Sequence, residues 1–255
     1  MCNLVMKFQI LLLFQIFFGL SYAAFSADFG NWLQEYFGED VRKHLERADL
    51  GTTGSFGGKK SRNDVLKNQP VVFVHGVSNR AGDKMYQAAE FFRSQGYVWA
   101  ELYVGLLFHA MLLRQADDTQ VRALIVAVRL YTGRAVDVVG YSMGVPVSRK
   151  AILGGRCVDT GEDLGGPLTK FIDTYIGVAG PNHGISLQVG GISIPGCVFS
   201  LLPVCNTQTG LYSGFCPSES VYLQDINQQV GYEGQNRFSI YSKADQLVGY
   251  TVCSQ

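Results

Sequence analysis

Apolar positions along the chain follow two patterns, and their alternation predicts the architecture. Residues 71–74, Val-Val-Phe-Val, are apolar without a break, as in a parallel strand covered on both faces. The β-branched run that begins at Val136 reads as a second such strand, and residues 97–103, 171–179 and 238–242 as three more. Between them apolar residues recur at helical spacing. Met85, Ala88, Ala89 and Phe92 share one face of residues 84–94, with Asp83 as N-cap and Gly96 just past the end. Val121, Leu124, Ile125, Val128 and Tyr131 share one face of residues 118–132, which Gly133 closes. Residues 145–153 continue as a helix after the strand at 136. Strands alternating with helices predict an α/β fold, a mostly parallel sheet with helices on both faces.

Other stretches carry less. Residues 31–50 hold Trp32, Leu33, Tyr36, Phe37, Val41 and Leu45 at a broken helical period, which predicts a packing surface. Residues 51–63 form a glycine-rich, basic loop. Its Gly58-Lys59 is not a phosphate loop, because Lys60 stands where Ser or Thr is needed and no strand precedes it. Residues 105–113 are apolar and read as core packing, with the floor of an acyl pocket as the alternative. Residues 184–235 leave the strand-helix rhythm and are rich in Gly, Pro and Ser, with three cysteines. They read as an irregular, disulfide-tied insertion over one edge of the sheet.

The start of the chain has its own pattern. Residues 1–7 carry one basic side chain, residues 8–20 are almost wholly apolar, and Ser21-Tyr22-Ala23 follows. That is a secretory signal peptide cleaved after Ala23, too short in its apolar part to span a bilayer. The expected mature protein begins at Ala24, has no transmembrane helix and is secreted. Of the 6 cysteines, Cys2 leaves with the signal; Cys157, Cys197, Cys205, Cys216 and Cys253 remain for disulfides in an oxidising compartment. That count is odd, so at least one lacks a partner within the chain, and spacing does not give the pairing. No cysteine or histidine cluster calls for a metal. Equal numbers of acidic and basic side chains, 21 each, and no basic run supply no electrostatic footprint for nucleic acid or an anionic membrane, and both are discarded as partners.

The chemistry concentrates at residues 140–144, Gly-Tyr-Ser-Met-Gly, between strand and helix. A serine on a sharp strand-to-helix turn needs small residues two places to either side, so Gly140 and Gly144 make Ser142 the candidate nucleophile. His75-Gly76-Val77 ends the strand at 71, and Asp245 follows the strand at 238. In an open α/β sheet all three lie at the carboxyl ends of strands, where sites form. Acyl transfer needs N–H donors for the developing oxyanion. Met143 supplies one and Val77 the other, with Gly76 letting that backbone come close. Asp245 suits the carboxylate that orients a histidine base, and none of this needs a cofactor.

Together, residues 71–77, 140–144, 179–184 (Ala-Gly-Pro-Asn-His-Gly) and 241–245 (Tyr-Ser-Lys-Ala-Asp) resemble the motifs of the secreted class 2 lipases, across residues 31–255. The resemblance implies an α/β-hydrolase fold over residues 24–255, with Ser142 as nucleophile, Asp245 as triad acid, and Val77 and Met143 as oxyanion donors. It also implies lipid esters as substrate, met at a lipid–water interface. The family carries its histidine beyond the aspartate, after one more strand, whereas no histidine follows Asp245 here. The sequence therefore reads as a shortened lipase without the final strand and histidine loop. Of the 4 histidines, His44 and His109 read as structural and His75 as shaping the oxyanion loop. His183, which follows a strand, is the substitute base to weigh. Two alternatives stand beside a lipase-type ester hydrolase: a catalytically silent homologue binding lipid or a partner, and an acyltransferase using the same serine.

Overall fold

A computed structural model describes residues 24–77, 81–105, 115–189, 192–195, 205–211 and 219–252. Residues 1–23, expected to be a signal, and His109, Cys197, Cys216 and Cys253 lie outside the described residues, as does nearly all of the apolar stretch 105–113.

Six strands form the main sheet: β1 (Phe56–Gly57), β2 (Val71–Val74), β3 (Leu102–Gly105), β4 (Val136–Tyr141), β5 (Ile172–Val178) and, last in the chain, β8 (Asn236–Ile240). Their spatial order is β1-β3-β2-β4-β5-β8. Only β1 runs antiparallel to its neighbour. This is the α/β-hydrolase kind of sheet. β2 shows why its sequence is apolar throughout. Val72 and Val74 enter one core, while Val71 and Phe73 enter the other.

Helices α1 (Ala27–Phe37), α2 (Glu39–Glu46), α4 (Gln115–Thr132), α5 (Gly144–Leu153) and α6 (Val221–Asn227) contribute to the first core, and α3 (Tyr86–Ser94) to the second. Ser26 caps α1 by accepting the Phe29 N–H at 3.2 Å. Phe29, Trp32 and Leu33 then anchor that helix in the core, with Phe29 packed edge-on to Tyr103. α5 is buried along its whole length, although it carries two consecutive cations. Lys150 Nζ donates to Asp225 Oδ2 at 2.7 Å and to the carbonyls of Gly154 and Arg156. A buried charge needs such partners.

Several elements differ from the sequence expectation. Residues 97–103 begin with a 3-10 turn at Trp99–Glu101. The Glu101 carboxylate is drawn inward there to accept the N–H groups of Lys67, Asn68 and Val98, so the strand starts only at Leu102. The helix expected at 84–94 begins only at Tyr86, after a π turn at Ala81–Met85, so Met85 and not Asp83 stands at its N-cap position. The last strand ends at Ile240, leaving Tyr241 and Ser242 beyond it. Residues 184–235 are more regular than their composition suggests, since they hold an antiparallel hairpin of β6 (Ser186–Val189) and β7 (Ile192–Pro195) as well as α6. In the same part of the chain Cys205 is disulfide-bonded. Cys157 is a buried free thiol, pushed up to about 11 chiefly by burial. Among the described residues no helix is long and apolar enough to cross a membrane.

Candidate functional site

β3 lies to one side of β2 and β4 to the other, so the chain changes direction across the sheet at this point. Crevices open at the carboxyl ends of strands at such switch points. β4 ends at Tyr141 and passes into α5 through Ser142 and Met143. Ser142 has φ of 52°, in the left-handed region that a residue with a Cβ rarely occupies. The turn is held there because the Ser142 N–H donates to the Val178 carbonyl at 2.8 Å and its own carbonyl accepts the Val145 N–H at 2.9 Å.

The glycines are required by close approach. A Cβ on Gly144 would lie 2.3 Å from the Val74 carbonyl oxygen and 2.6 Å from that of His75. On Gly140 it would lie 2.9 Å from Ser148 Oγ and 3.0 Å from the Gly144 carbonyl. On Gly76 it would lie 2.7 Å from Ser142 Cβ and 3.2 Å from Ser142 Oγ. The loop after β2 therefore presses directly on the serine turn. His75 is fully buried, with Nδ1 2.9 Å from the Gly76 carbonyl oxygen, and so shapes the loop. The Met143 side chain is locked in the core and Val77 packs against the same core.

Below the serine, α5 is pinned to β5. Tyr175 OH donates to the Val145 carbonyl at 3.1 Å and lies 2.9 Å from Ser148 Oγ. Burial raises the Tyr175 phenol above its ordinary value, against the opposing pull of the Ser148 hydrogen bond and the Arg149 charge. It therefore stays neutral and acts as a fixed strut. Farther along α5, the Arg149 guanidinium is taken up by Glu233 at 3.0 Å, Asn182 at 3.1 Å, Asn227 at 2.8 Å and the Ile226 carbonyl at 3.0 Å.

Asp245 and His183 share one cavity. Both line a cavity of about 400 Å³ with Ser242, Tyr241 and Tyr250, and Ser142 is not among its lining residues. Asp245 Oδ1 accepts the N–H groups of Leu247 and Val248, each at 2.9 Å. His183 turns its Nδ1 to Glu219 Oε1 at 2.6 Å, and Glu219 Oε2 in turn accepts from Asn227 at 3.3 Å. The structure thus gathers Ser142 with Gly76, Gly140, Gly144 and Met143, and Asp245 and His183 line one cavity. Among the described residues Ser142 Oγ has no hydrogen-bond partner. His44 sits exposed on α2. Glu219, Arg149, Asn227 and Glu233 were not singled out by sequence reasoning. The one available signal was the Arg149-Lys150 pair inside an otherwise apolar helix.

Residues 68–255 match the family model described as Lipase (class 2). No curated protein matches the chain in sequence. Among solved structures, Aspergillus fumigatus lipase B aligns at 17% identity with a TM-score of 0.51, covering 74% of this chain and 40% of that one. The mature form of Bacillus licheniformis lipase BlEst2 aligns at 18% identity with a TM-score of 0.44, covering 72% of this chain and 70% of that one. Legionella pneumophila phospholipase PlaB aligns at 19% identity with a TM-score of 0.41, covering 69% of this chain and 39% of that one. The Aspergillus likeness bears on the fold; identities this low do not carry a substrate across.

Proposed function

Because the chain belongs to the class 2 lipase family, we propose that it is a secreted carboxylic ester hydrolase acting on lipid esters through an acyl-enzyme at Ser142. The observation that carries this reading is the conformation of Ser142, held at φ of 52° at the head of a buried helix and against Gly76.

In the proposed reaction Ser142 Oγ attacks the ester carbonyl carbon, and the carbonyl oxygen takes up the negative charge. The N–H groups of Val77 and Met143 receive that charge, aided by the positive end of α5. The alcohol leaves with a proton, and water then attacks the acyl-serine. Both steps require a base that takes the proton from the nucleophile and returns it to the leaving group, which in this chemistry is a histidine. Asp245 is the proposed acid for it. His183 is the substitute base to test, since it shares a cavity with Asp245, but the engagement of its Nδ1 by Glu219 supports a holding role instead. We also read residues 1–23 as a signal and residues 24–255 as one α/β-hydrolase domain with an inserted segment at 184–235. Of the other readings, a lipid-binding protein without turnover is the one favoured by an observation, the lack of a hydrogen-bond partner for Ser142 Oγ among the described residues.

The test is hydrolysis of a short-chain chromogenic ester by the whole chain against its Ser142→Ala variant. Turnover reduced at least ~10³-fold in the variant is expected for a serine enzyme. Equal rates from two folded proteins would reject catalysis and leave binding. If turnover is present, His183→Ala identifies or dismisses the internal base.

A further inference from the structure

The loop after β5, residues 179–184, leans on the head of α5. The Val178 carbonyl accepts the Ser142 N–H at 2.8 Å, and one residue later Ala179 has φ of 48°. A residue with a Cβ adopts that conformation at a cost, and keeps it only where its surroundings leave no alternative. Gly180 then meets Val145, since a Cβ on it would lie 2.5 Å from Val145 Cγ1. Ser142 and Ala179 are thus both strained, and the hydrogen bond to Val178 ties the one turn to the other.

The group that holds this loop lies one turn farther along α5. Val145 and Arg149 stand at i and i+4 and so share a face of the helix. Val145 meets Gly180, and Arg149, 8% exposed, meets the rest of the loop. Its Nη1 donates to Asn182 Oδ1 at 3.1 Å and to Asn227 Oδ1 at 2.8 Å. Asn227 Nδ2 turns back to the Asn182 carbonyl at 2.8 Å and to Glu219 Oε2 at 3.3 Å, while Glu219 Oε1 holds His183. The side chain and carbonyl of Asn182 and the ring of His183 are therefore all tied to one guanidinium. Glu233 takes its charge at 3.0 Å, the Ile226 carbonyl accepts from Nη2 at 3.0 Å, and the Tyr232 ring centre lies 5.5 Å from Cζ. A planar fork makes these contacts together, whereas a lysine ammonium in its place reaches fewer of them.

We propose that Arg149 is a positioning residue for the acyl transfer at Ser142: by clamping residues 179–184 in their strained form it keeps the Val178 carbonyl on the Ser142 N–H, and with it the nucleophile at φ of 52°. This deepens the hydrolase reading and rests on it for the choice of reaction.

The experiment compares the whole chain with Arg149→Lys, Asn182→Ala and Tyr131→Phe. Asn182→Ala removes one loop contact and leaves Arg149 with Glu233, Asn227 and Ile226, so it serves if Arg149→Lys does not fold. Tyr131→Phe removes the hydroxyl bonded to Asp28 on α1 and is the control for lost stability alone. Two quantities are read: kcat and KM for a short-chain chromogenic ester, and hydrogen exchange at the amides of Ser142 and residues 179–184. In Arg149→Lys kcat should fall about 10- to 100-fold and in Asn182→Ala about tenfold, with KM within about twofold of the parent. Exchange at Ser142 and in the loop should rise about tenfold while the rest of the chain is unchanged. Tyr131→Phe should leave kcat and these amides as they are. Ala179→Gly, which takes up a positive φ without strain, should recover about fivefold of kcat when added to Arg149→Lys. A merely stabilising ion pair would show no such rescue. Locally raised exchange in a parent without Ser142-dependent turnover would sustain the clamp and reject the hydrolase. Local exchange unaltered in both variants would overturn the clamp whatever the turnover, and an even rise along the chain, or an equal fall of kcat in Tyr131→Phe, would reduce Arg149 to a stabilising residue and overturn it as well.

Discussion

His183 Nδ1 lies 2.6 Å from Glu219 Oε1, and this contact joins the loop after β5 to the residue just before the Ser220 cap of α6. Ser220 Oγ accepts the Leu223 N–H at 3.1 Å, so Glu219 is held by the helix that follows it. Asn227, fixed by Arg149, braces the other oxygen of the same carboxylate. A half-buried pair with a third polar partner is worth more than an exposed one. His183→Ala and Glu219→Gln are each expected to destabilise by about 1–2 kcal/mol. The double variant should cost less than the sum of the two, because both remove one contact. Urea unfolding of the four proteins measures this. We expect ester turnover in His183→Ala to stay within about tenfold of the parent, since His183 Nδ1 is engaged by Glu219; a fall of ~10³ or more would make it the base.

Gly76 offers a sharper test of the serine turn. An added Cβ would sit 2.7 Å from Ser142 Cβ, an atom whose position the backbone sets, and 3.0 Å from the Tyr141 carbonyl oxygen. Gly76→Ala must therefore move the loop after β2 or the nucleophile. Overpacking of this kind costs about 1–3 kcal/mol, and a misplacement approaching 1 Å costs ~10²-fold in rate. Turnover should fall by about that factor with the protein still folded. Parental turnover in Gly76→Ala would show that this loop is not part of the reacting geometry.

Asp137 sets a pH dependence away from the site, near the start of β4. Burial pushes its carboxyl up to about 6, against the Thr174 N–H that it accepts and helped by the Asp173 charge. The folded protein therefore holds this proton where the unfolded chain has released it, and stability falls as pH rises from about 4 to about 6. The full shift corresponds to about 3 kcal/mol at neutral pH, and partial exposure of the side chain reduces it to about 1–2. Asp137→Asn keeps the acceptor for Thr174 and should gain that amount at pH 7, raising Tm by a few degrees. The gain should vanish at pH 4. A variant no more stable than the parent at pH 7 would contradict the raised carboxyl.

The parts of the fold legible in sequence were those where one physical demand dominates. β2 had to be apolar because both faces are covered, β4 was marked by its valines at 136, 138 and 139, and Gly140 and Gly144 were signalled by the steric need of the turn between β4 and α5. β1 was not legible: its two residues sit in a glycine-rich loop, and only pairing with Val104 and Tyr103 makes them a strand. β3 was shifted because Glu101 serves a loop more than thirty residues earlier. Composition hid the β6-β7 hairpin and α6 among glycines and serines. The Arg149-Lys150 pair signalled that buried partners were needed but not which, since Glu233 lies 84 residues away and nothing local to either residue announces the other.

The closeness of Gly144 to the carbonyls of Val74 and His75 has a consequence for how this protein tolerates change. Two backbone segments far apart in sequence touch with no side chain between them, so no neighbouring substitution offers slack to either. In a library randomised at residues 76, 140 and 144 and screened for folded protein, glycine should return at 144 whatever stands at the other two positions. The loop after β2 and the head of α5 then behave as a single unit of inheritance, free to vary in what they present outward and fixed where they meet.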